Sequence, residues 1–500
     1  MAKNSTIPVR VAFYEYPHNR EALSTKDCYF KNCFPEKVES GIQGNEKYEI
    51  VKRPGLGTAT YNQTDGAGRG LYVWNGDIYY VVGNAVYKNG SALTVTLANT
   101  TGKVYWEQMS GGSASEKIFL LDNQDMYSIV SSGTVTKHTT SPASAQIGTV
   151  AGGIANLNGL LYVCDTDGKI LMSDYNAANP ALGGPNTTAA NVLWAQPNII
   201  SANVYSDGLK GVCRHLNYVV GIGDWSTEFF YDAGNTSGSL LSRAEGTVIR
   251  YGTPNFDTMW QDENLIVWLA RSRDGGNCVM VLDGLTPKIV STKAIDRILN
   301  SGKVSDAYGF GIRIVGHVFY FLTLPTLDKT LCFSLTDNMW SEWSSYDGAT
   351  ETYFKIQDIK GYLDANGAIA YAALHASNGS IYPLDADNYQ DVGQSIRVKL
   401  VTDKVDFQTN QRKFLPHLSL MTTLVSNSTA VNVSMRYTDD DFKTWSTSSD
   451  RDLRYIATWK ALGSFNRRAF EFTFTDNFPL RIETLEFGLK LGSYAQGRGT

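Results

Sequence analysis

Short strand–turn–strand cores recur down most of this chain, and that recurrence restricts the available folds more than any other feature. The clearest copy is Gly70 to Gly90, GLYVWNGDIYYVVGNAVYKNG. Leu71-Tyr72-Val73-Trp74 and Ile78-Tyr79-Tyr80-Val81-Val82 carry the aromatic and β-branched side chains that suit a pleated, half-buried surface. Asn75-Gly76-Asp77 between them supplies the positive φ of a hairpin turn. A second turn at Gly83-Asn84 leads into Ala85-Val86-Tyr87-Lys88. One such meander cannot bury its own apolar face, so it requires neighbours of the same kind.

From residue 68 to 388, apolar strand cores centre on Tyr79, Phe119, Tyr162, Val219, Ile266, Phe319 and Ala370, at intervals of 40 to 57 residues. Propeller blades repeat at about 40 to 50 residues, and radial closure leaves only short, protected sheet edges. The chain therefore reads as all-β, with a six- or seven-bladed β-propeller over 68–388 and the rings of Tyr79, Phe119, Tyr162 and Phe319 buried. A strand from before residue 68, such as Tyr48 to Lys52, is a candidate to complete the last blade and tie the array shut.

The flanks have their own character. Residues 1–67 read as an N-terminal extended, docking segment that ends in a type II turn, because Pro54 fixes φ and Gly55 accepts a positive one. The one clear helix is Ser291 to Leu299, capped by Ser291 or Thr292. After Asp391, six segments from SIRVKLVTDKVDF to LRIETLEFGLKLG alternate apolar and polar residues. That pattern predicts a C-terminal antiparallel β-sandwich over 389–492, followed by a terminal arm at 493–500.

A net charge of −5 argues against a protein that grips nucleic acid electrostatically. The densest basic stretch, Ser464 to Arg468, reads as a solvated sheet face. No apolar run reaches the ~18 residues of a membrane span, and the opening residues lack the apolar core of a signal peptide. The expectation is a protein that folds where it is made and inserts in no membrane. Six cysteines without a CxxC pair, four of them among apolar strand residues, read as buried thiols.

Thr438 to Trp445, TDDDFKTW, resembles the Asp-box hairpin of sialidases with Phe442 in the place of Gly, and even there the box is a turn element. Asp165-Thr166-Asp167-Gly168 lacks the bidentate Glu of a calcium loop and reads as a turn. Six histidines stand singly, and no nucleophile elbow or phosphate loop is present. The reading is a non-enzyme with no cofactor, metal or catalytic residue.

Several stretches in order resemble the tail hub, or nozzle, proteins of short-tailed bacteriophages, the family also called packaged-DNA stabilisation proteins or tail accessory factors. Asn32-Cys33-Phe34-Pro35-Glu36, Arg53-Pro54-Gly55-Leu56 and Gly68-Arg69-Gly70 resemble its opening. Val219 to Gly234 and Ser291 to Ser301 resemble its middle. Arg436 to Trp445, Thr458-Trp459-Lys460, Gly463, Arg467-Arg468 and Leu480 to Glu483 resemble its close. The motif positions singled out as structural are Asn32, Cys33, Pro35, Glu36, Arg53, Pro54, Gly55, Trp445, Trp459 and Lys460.

The resemblance implies a structural virion subunit, made in the host bacterial cytoplasm and placed in the virion tail. It implies a homohexameric ring below the portal and adaptor, extending the DNA channel and helping to retain packaged DNA until ejection. Its implied partners are further copies of itself, the portal-adaptor ring, the tail needle or plug, fibre or spike proteins, and double-stranded DNA passing without sequence-specific binding. Neighbours are expected to join through the N-terminal segment, the C-terminal sandwich or both, so that deleting residues 1–45 leaves a soluble propeller that fails to join particles. The alternative is a glycan-binding or glycan-cleaving, sialidase-like propeller tail protein. That reading requires paired carboxylates in an aromatic cleft and convergence of arginines among 214, 243, 250, 271, 273, 297 and 313. A generic propeller interaction module would instead be a monomer.

Overall fold

The computed structural model describes residues 7–11, 29–38, 47–63, 66–109, 116–123, 125–138, 148–173, 198–346 and 348–492. Cys28 and the arm at 493–500 lie outside them. Seven four-stranded antiparallel units follow one another at 68–96, 105–138, 155–201, 209–243, 260–289, 308–346 and 356–385. Each is an up-and-down meander in which successive strands pair, and several of the connections are tight turns whose residues tolerate positive φ. Asn75 at φ 51° before Gly76 and Asn158 at φ 53° before Gly159 are two of them.

The units close on themselves through their side chains. Each of seven apolar clusters is built mainly from two successive units. The last joins Ala372, Leu374 and Ile381 of the seventh unit to Leu71, Ile78 and Tyr80 of the first. Tyr79, Phe119, Tyr162, Val219, Ile266 and Phe319 are all buried, as the spacing predicts. Ala370 is only half-buried; the seventh core centres on Ala372 to Leu374, beyond a hairpin tip that projects from the ring.

The seventh unit has three strands of its own. Its fourth is Gly55–Leu56, antiparallel to Ile381–Asp385 with Leu56 opposite Leu384. A segment before residue 68 therefore does fasten the array, but it is not Tyr48 to Lys52. Lys47–Lys52 lies in another sheet, between Cys33–Val38 and Arg481–Leu491. The Pro54-Gly55 type II turn is also corrected: Gly55 is extended. A Cβ there would lie 2.2 Å from the Gln390 carbonyl oxygen, so the glycine serves close backbone approach instead of positive φ.

Two sheets containing the C-terminal strands enclose a further core that includes Leu418, Trp459, Phe470 and Phe487. One runs in the order Cys33–Val38, Lys47–Lys52, Arg481–Leu491, Lys413–Thr422, Ala457–Lys460. The other runs Tyr29–Lys31, Val398–Val401, Ala469–Phe474, Asn432–Thr438, Ser449–Asp452, and is continuous with the sixth unit because Tyr29–Lys31 pairs in parallel with Met339–Tyr346. Phe30, Cys33 and Phe34 are core residues. Tyr29–Lys31 and Cys33–Val38, both within residues 1–45, are strands of these two sheets, whereas Gly55–Leu56, which completes the seventh unit, lies beyond residue 45.

Lys293–Leu299 is helical, with Thr292 as its cap accepting from the Ile295 N–H. The basic stretch at 464–468 divides: Arg467 is exposed, whereas Arg468 is buried, bidentate to Asp439 at 2.7 Å for each bond and 3.8 Å from the Tyr437 ring. The reading of both as a solvated face is wrong for Arg468. Alternation shows which face a residue occupies but not whether that face meets a second layer.

Candidate functional site

The N-terminal motif residues converge where the ring of units meets the C-terminal sheets. Asn32 takes φ 56° between Tyr29–Lys31 and Cys33–Val38, so the chain leaves one sheet and enters the other within a single residue. Asparagine suits this position because it tolerates the left-handed region and its amide can satisfy local polar groups. Its Oδ1 accepts from the Ser344 N–H at 2.8 Å and Arg53 Nε at 2.9 Å. Its Nδ2 donates to Ser344 Oγ and the Arg397 carbonyl, both at 2.8 Å.

Arg53 is fully buried and makes five hydrogen bonds, as many as a guanidinium has N–H donors. Nε reaches Asn32, Nη1 reaches the Pro54 carbonyl at 2.9 Å and Asp391 Oδ1 at 3.0 Å, and Nη2 reaches the Ser344 carbonyl at 2.9 Å and Asp391 Oδ2. The rings of Trp343 and Phe354 flank the cation at 5.2 and 4.9 Å. Asp391 also accepts from the Leu56 N–H at 3.2 Å. One side chain thus ties the N-terminal segment, the sixth unit and the linker into the C-terminal sheets.

Around this core, Lys31 and Lys329 sit 2.8 and 3.1 Å from Glu342. Burial pushes that carboxyl up, but the two lysines outweigh burial and hold it below its usual range. Lys52 donates to the Asp476 carbonyl at 2.8 Å and lies 5.0 Å over the Phe474 ring. Burial, followed by repulsion from Arg53, lowers its ammonium pKa to about 7. Cys33 is buried and its thiol pushed up. Phe34 packs edge-on against His317 and Phe319 at 5.0 Å each, and Glu36 pairs with Arg481 at 2.8 Å. Pro35 is tolerated because its strand lies at an edge of the sheet order.

Trp445, Trp459 and Lys460 do not join this joint. Trp445 stacks under Arg436 at 4.7 Å, Trp459 lies in the core between the C-terminal sheets with Nε1 donating to the Ser449 carbonyl, and Lys460 is exposed. Sequence reading missed Asp391, Ser344, Trp343 and Phe354. The available signal was chemical: an arginine beside Pro-Gly in an apolar strand context needs a carboxylate when buried, and Asp391 marks the change of pattern.

The hub of the ring is filled. Lys103, just before the second unit, donates to the carbonyls of Asp257 and Gly309 at 2.9 and 3.2 Å, reaching the fifth and sixth units across the ring. Tyr105 hydrogen-bonds Asp257, and Phe256 lies so close to Gly152, Gly153 and Gly211 that a Cβ on Gly211 would fall 2.3 Å from its ring. A DNA duplex, whose major groove alone is about 12 Å wide, cannot pass through this bore.

Asp165 accepts from the N–H groups of Gly148, Asp167 and Lys169, so its carboxylate serves a turn. Asp440 likewise accepts from Lys443 and Thr444, and Phe442 adopts φ 65° in the place of the box glycine. Arg243, Arg271 and Arg313 pair separately with Glu228, Asp224 and Asp262. Among the described residues no group of three His, Cys, Asp or Glu is placed to hold a metal, and no helix is long and apolar enough to cross a membrane.

A closed succession of β-meanders with a filled hub and a buried polar joint defines a propeller-type protein. Residues 26–359 match the family model described as Bacteriophage P22 Gp10, beta-propeller, and the chain belongs to that packaged-DNA stabilisation family of short-tailed phages. Among curated proteins none matches in sequence. Similar solved structures include virginiamycin B lyase from Staphylococcus aureus, at 10% identity over 65% of this chain and 97% of that one, with a TM-score of 0.39. The N-terminal domain of Nup159, at 8% identity over 71% and 98% of the two chains, gives a TM-score of 0.38.

Proposed function

We propose that this chain is the tail hub, or nozzle, subunit of a phage virion: a seven-bladed propeller joined to a C-terminal sandwich, six copies of which form a ring below the portal and adaptor. In this reading the ring extends the DNA channel and helps to retain packaged DNA until ejection. It contacts the portal-adaptor ring above and the needle or plug and the fibres or spikes below, and passes duplex DNA without reading its sequence. The protein then resides in the virion tail and is synthesised in the host cytoplasm.

The observation that carries this reading, beside family membership, is the filled hub. A propeller whose own bore is blocked by Lys103, Tyr105 and Phe256 can contribute to a duplex-wide channel only as one wall among several copies. The joint at Arg53 supports the same reading, because a wall segment must hold its two halves in fixed orientation.

Mass measurement by sedimentation with electron microscopy of the purified full chain tests the reading, together with particles lacking the protein. A six-membered ring around an open channel and particles that leak DNA are expected. A strict monomer, also in the presence of adaptor, or particles that retain their genome without it, overturns the assignment.

A further inference from the structure

Beside the Arg53 joint lies a small cavity of about 200 Å³. Three stretches of chain contribute to its lining. Thr352 and Lys355 come from the connection between the sixth and seventh units, His375 and Tyr382 from the seventh unit, and Asp391 and Gln394 from the linker into the C-terminal sheets. Sites for drug-sized ligands begin at about 300 Å³, so this space suits a compact ion and its water, not a nucleotide or a sugar chain.

Hydrogen-bond donors dominate the lining. His375 Nδ1 accepts from the N–H groups of Ser377 and Asn378 at 3.3 and 3.2 Å, so the neutral ring carries its proton on Nε2. Tyr382 accepts from Asn378 Nδ2 at 3.1 Å and keeps its own hydrogen to donate. Among the described residues Lys355 has no ion-pair partner, and the Gln394 amide and Thr352 hydroxyl have no hydrogen-bond partner. The carboxylate of the lining, Asp391, is already held by Arg53 and the Leu56 N–H, and Glu351, close by in sequence, pairs with Lys31 at 3.4 Å. Arg53 and Lys355 thus face Asp391 alone, which leaves one positive charge over. Burial first, and then the Lys355 ammonium, lower the His375 pKa to about 4. An anion relieves such a cation and gains charge-assisted hydrogen bonds from it.

We infer that this cavity binds a free oxyanion of the phosphate class, with Lys355 and the Nε2–H of His375 as its principal donors and Tyr382, Thr352 and Gln394 completing the shell. A planar carboxylate presents two oxygens along one edge. Donors arriving from three separate stretches suit a tetrahedral ion, whose oxygens point in different directions. The bound ion links the sixth unit, the seventh unit and the linker, the same region that Arg53 ties through Ser344 and Asp391. The site does not depend on the ring reading, since every group in it comes from one chain.

Titration calorimetry of the full chain with inorganic phosphate, at fixed ionic strength so that general screening stays constant, tests the site. One phosphate per chain is expected, with affinity reduced about tenfold or more in Lys355→Met and unchanged in Lys460→Met on the C-terminal sheet. In the unaltered chain, phosphate should raise the pKa of His375, followed by NMR of labelled histidine, because a neighbouring anion favours the imidazolium. That readout holds whether or not a variant folds. No saturable binding, full affinity in Lys355→Met, or a His375 titration that ignores phosphate overturns the inference. Acetate binding more tightly than phosphate overturns the phosphate class, and a short DNA duplex that displaces phosphate overturns the free ion.

Discussion

Replacing Arg53 with methionine probes the joint at its centre. The substitution keeps the apolar stem between Trp343 and Phe354 but removes five hydrogen bonds, and leaves the Asp391 carboxylate, the Asn32 amide oxygen and the Ser344 carbonyl to find new partners in a buried site. Breaking a buried ion pair from one side costs about 3 to 5 kcal/mol, mostly because the remaining charge is stranded. Arg53→Met and Asp391→Asn should each lower unfolding free energy by about that amount in urea denaturation followed by tryptophan fluorescence. The combination Arg53→Met with Asp391→Leu should recover at least ~2 kcal/mol relative to the sum of the single changes, since no charge is left behind. Arg53→Lys should lie in between, because an ammonium cannot reproduce the planar fork. A loss below ~1 kcal/mol for Arg53→Met, or strict additivity in the cycle, would refute the claim that this node holds the two halves together.

Stability should rise with pH above neutrality. Lys52 titrates near 7 in the folded chain and near its ordinary 10.5 when unfolded, so between those values the unfolded state binds more protons. The slope is at most about 1.4 kcal/mol per pH unit and should flatten in Lys52→Met; an unchanged slope argues against a buried, discharged lysine. In the hub, Gly211→Ala forces a methyl into the Phe256 ring and should cost about 1 to 3 kcal/mol, while Phe256→Ala should cost about 3 to 5 by leaving a cavity. Near-wild-type thermal midpoints in both would mean that the hub is open. Chelator should leave the thermal midpoint unmoved, because backbone N–H groups already occupy the Asp165 carboxylate. A fall of several degrees with EDTA would restore the metal reading.

Local chemistry alone determined much of this protein. The alternation of Tyr79, Tyr80 and Val81 with Asn-Gly turns specifies a meander wherever it occurs, since both strand propensity and turn geometry act over a few residues. The cap of the helix at Thr292 was legible for the same reason. The repetition of such cores implied a closed array, because no single meander can bury its own face.

Long-range pairing was decided only in three dimensions. Tyr48 to Lys52 and Gly55–Leu56 are both extended, and nothing local says that the first belongs with Arg481–Leu491 and the second with Ile381–Asp385. The glycine at 55 was legible as a special position but for the wrong cause, since the crowding comes from Gln390, far along the chain. Arg53 was visible as a motif residue, whereas its role depends on Asn32, Ser344 and Asp391 being brought together from three distant stretches. Propensity and turn chemistry act between neighbours and are written in order along the chain. Desolvating a charge depends on what surrounds it, and those surroundings exist only after the chain has folded.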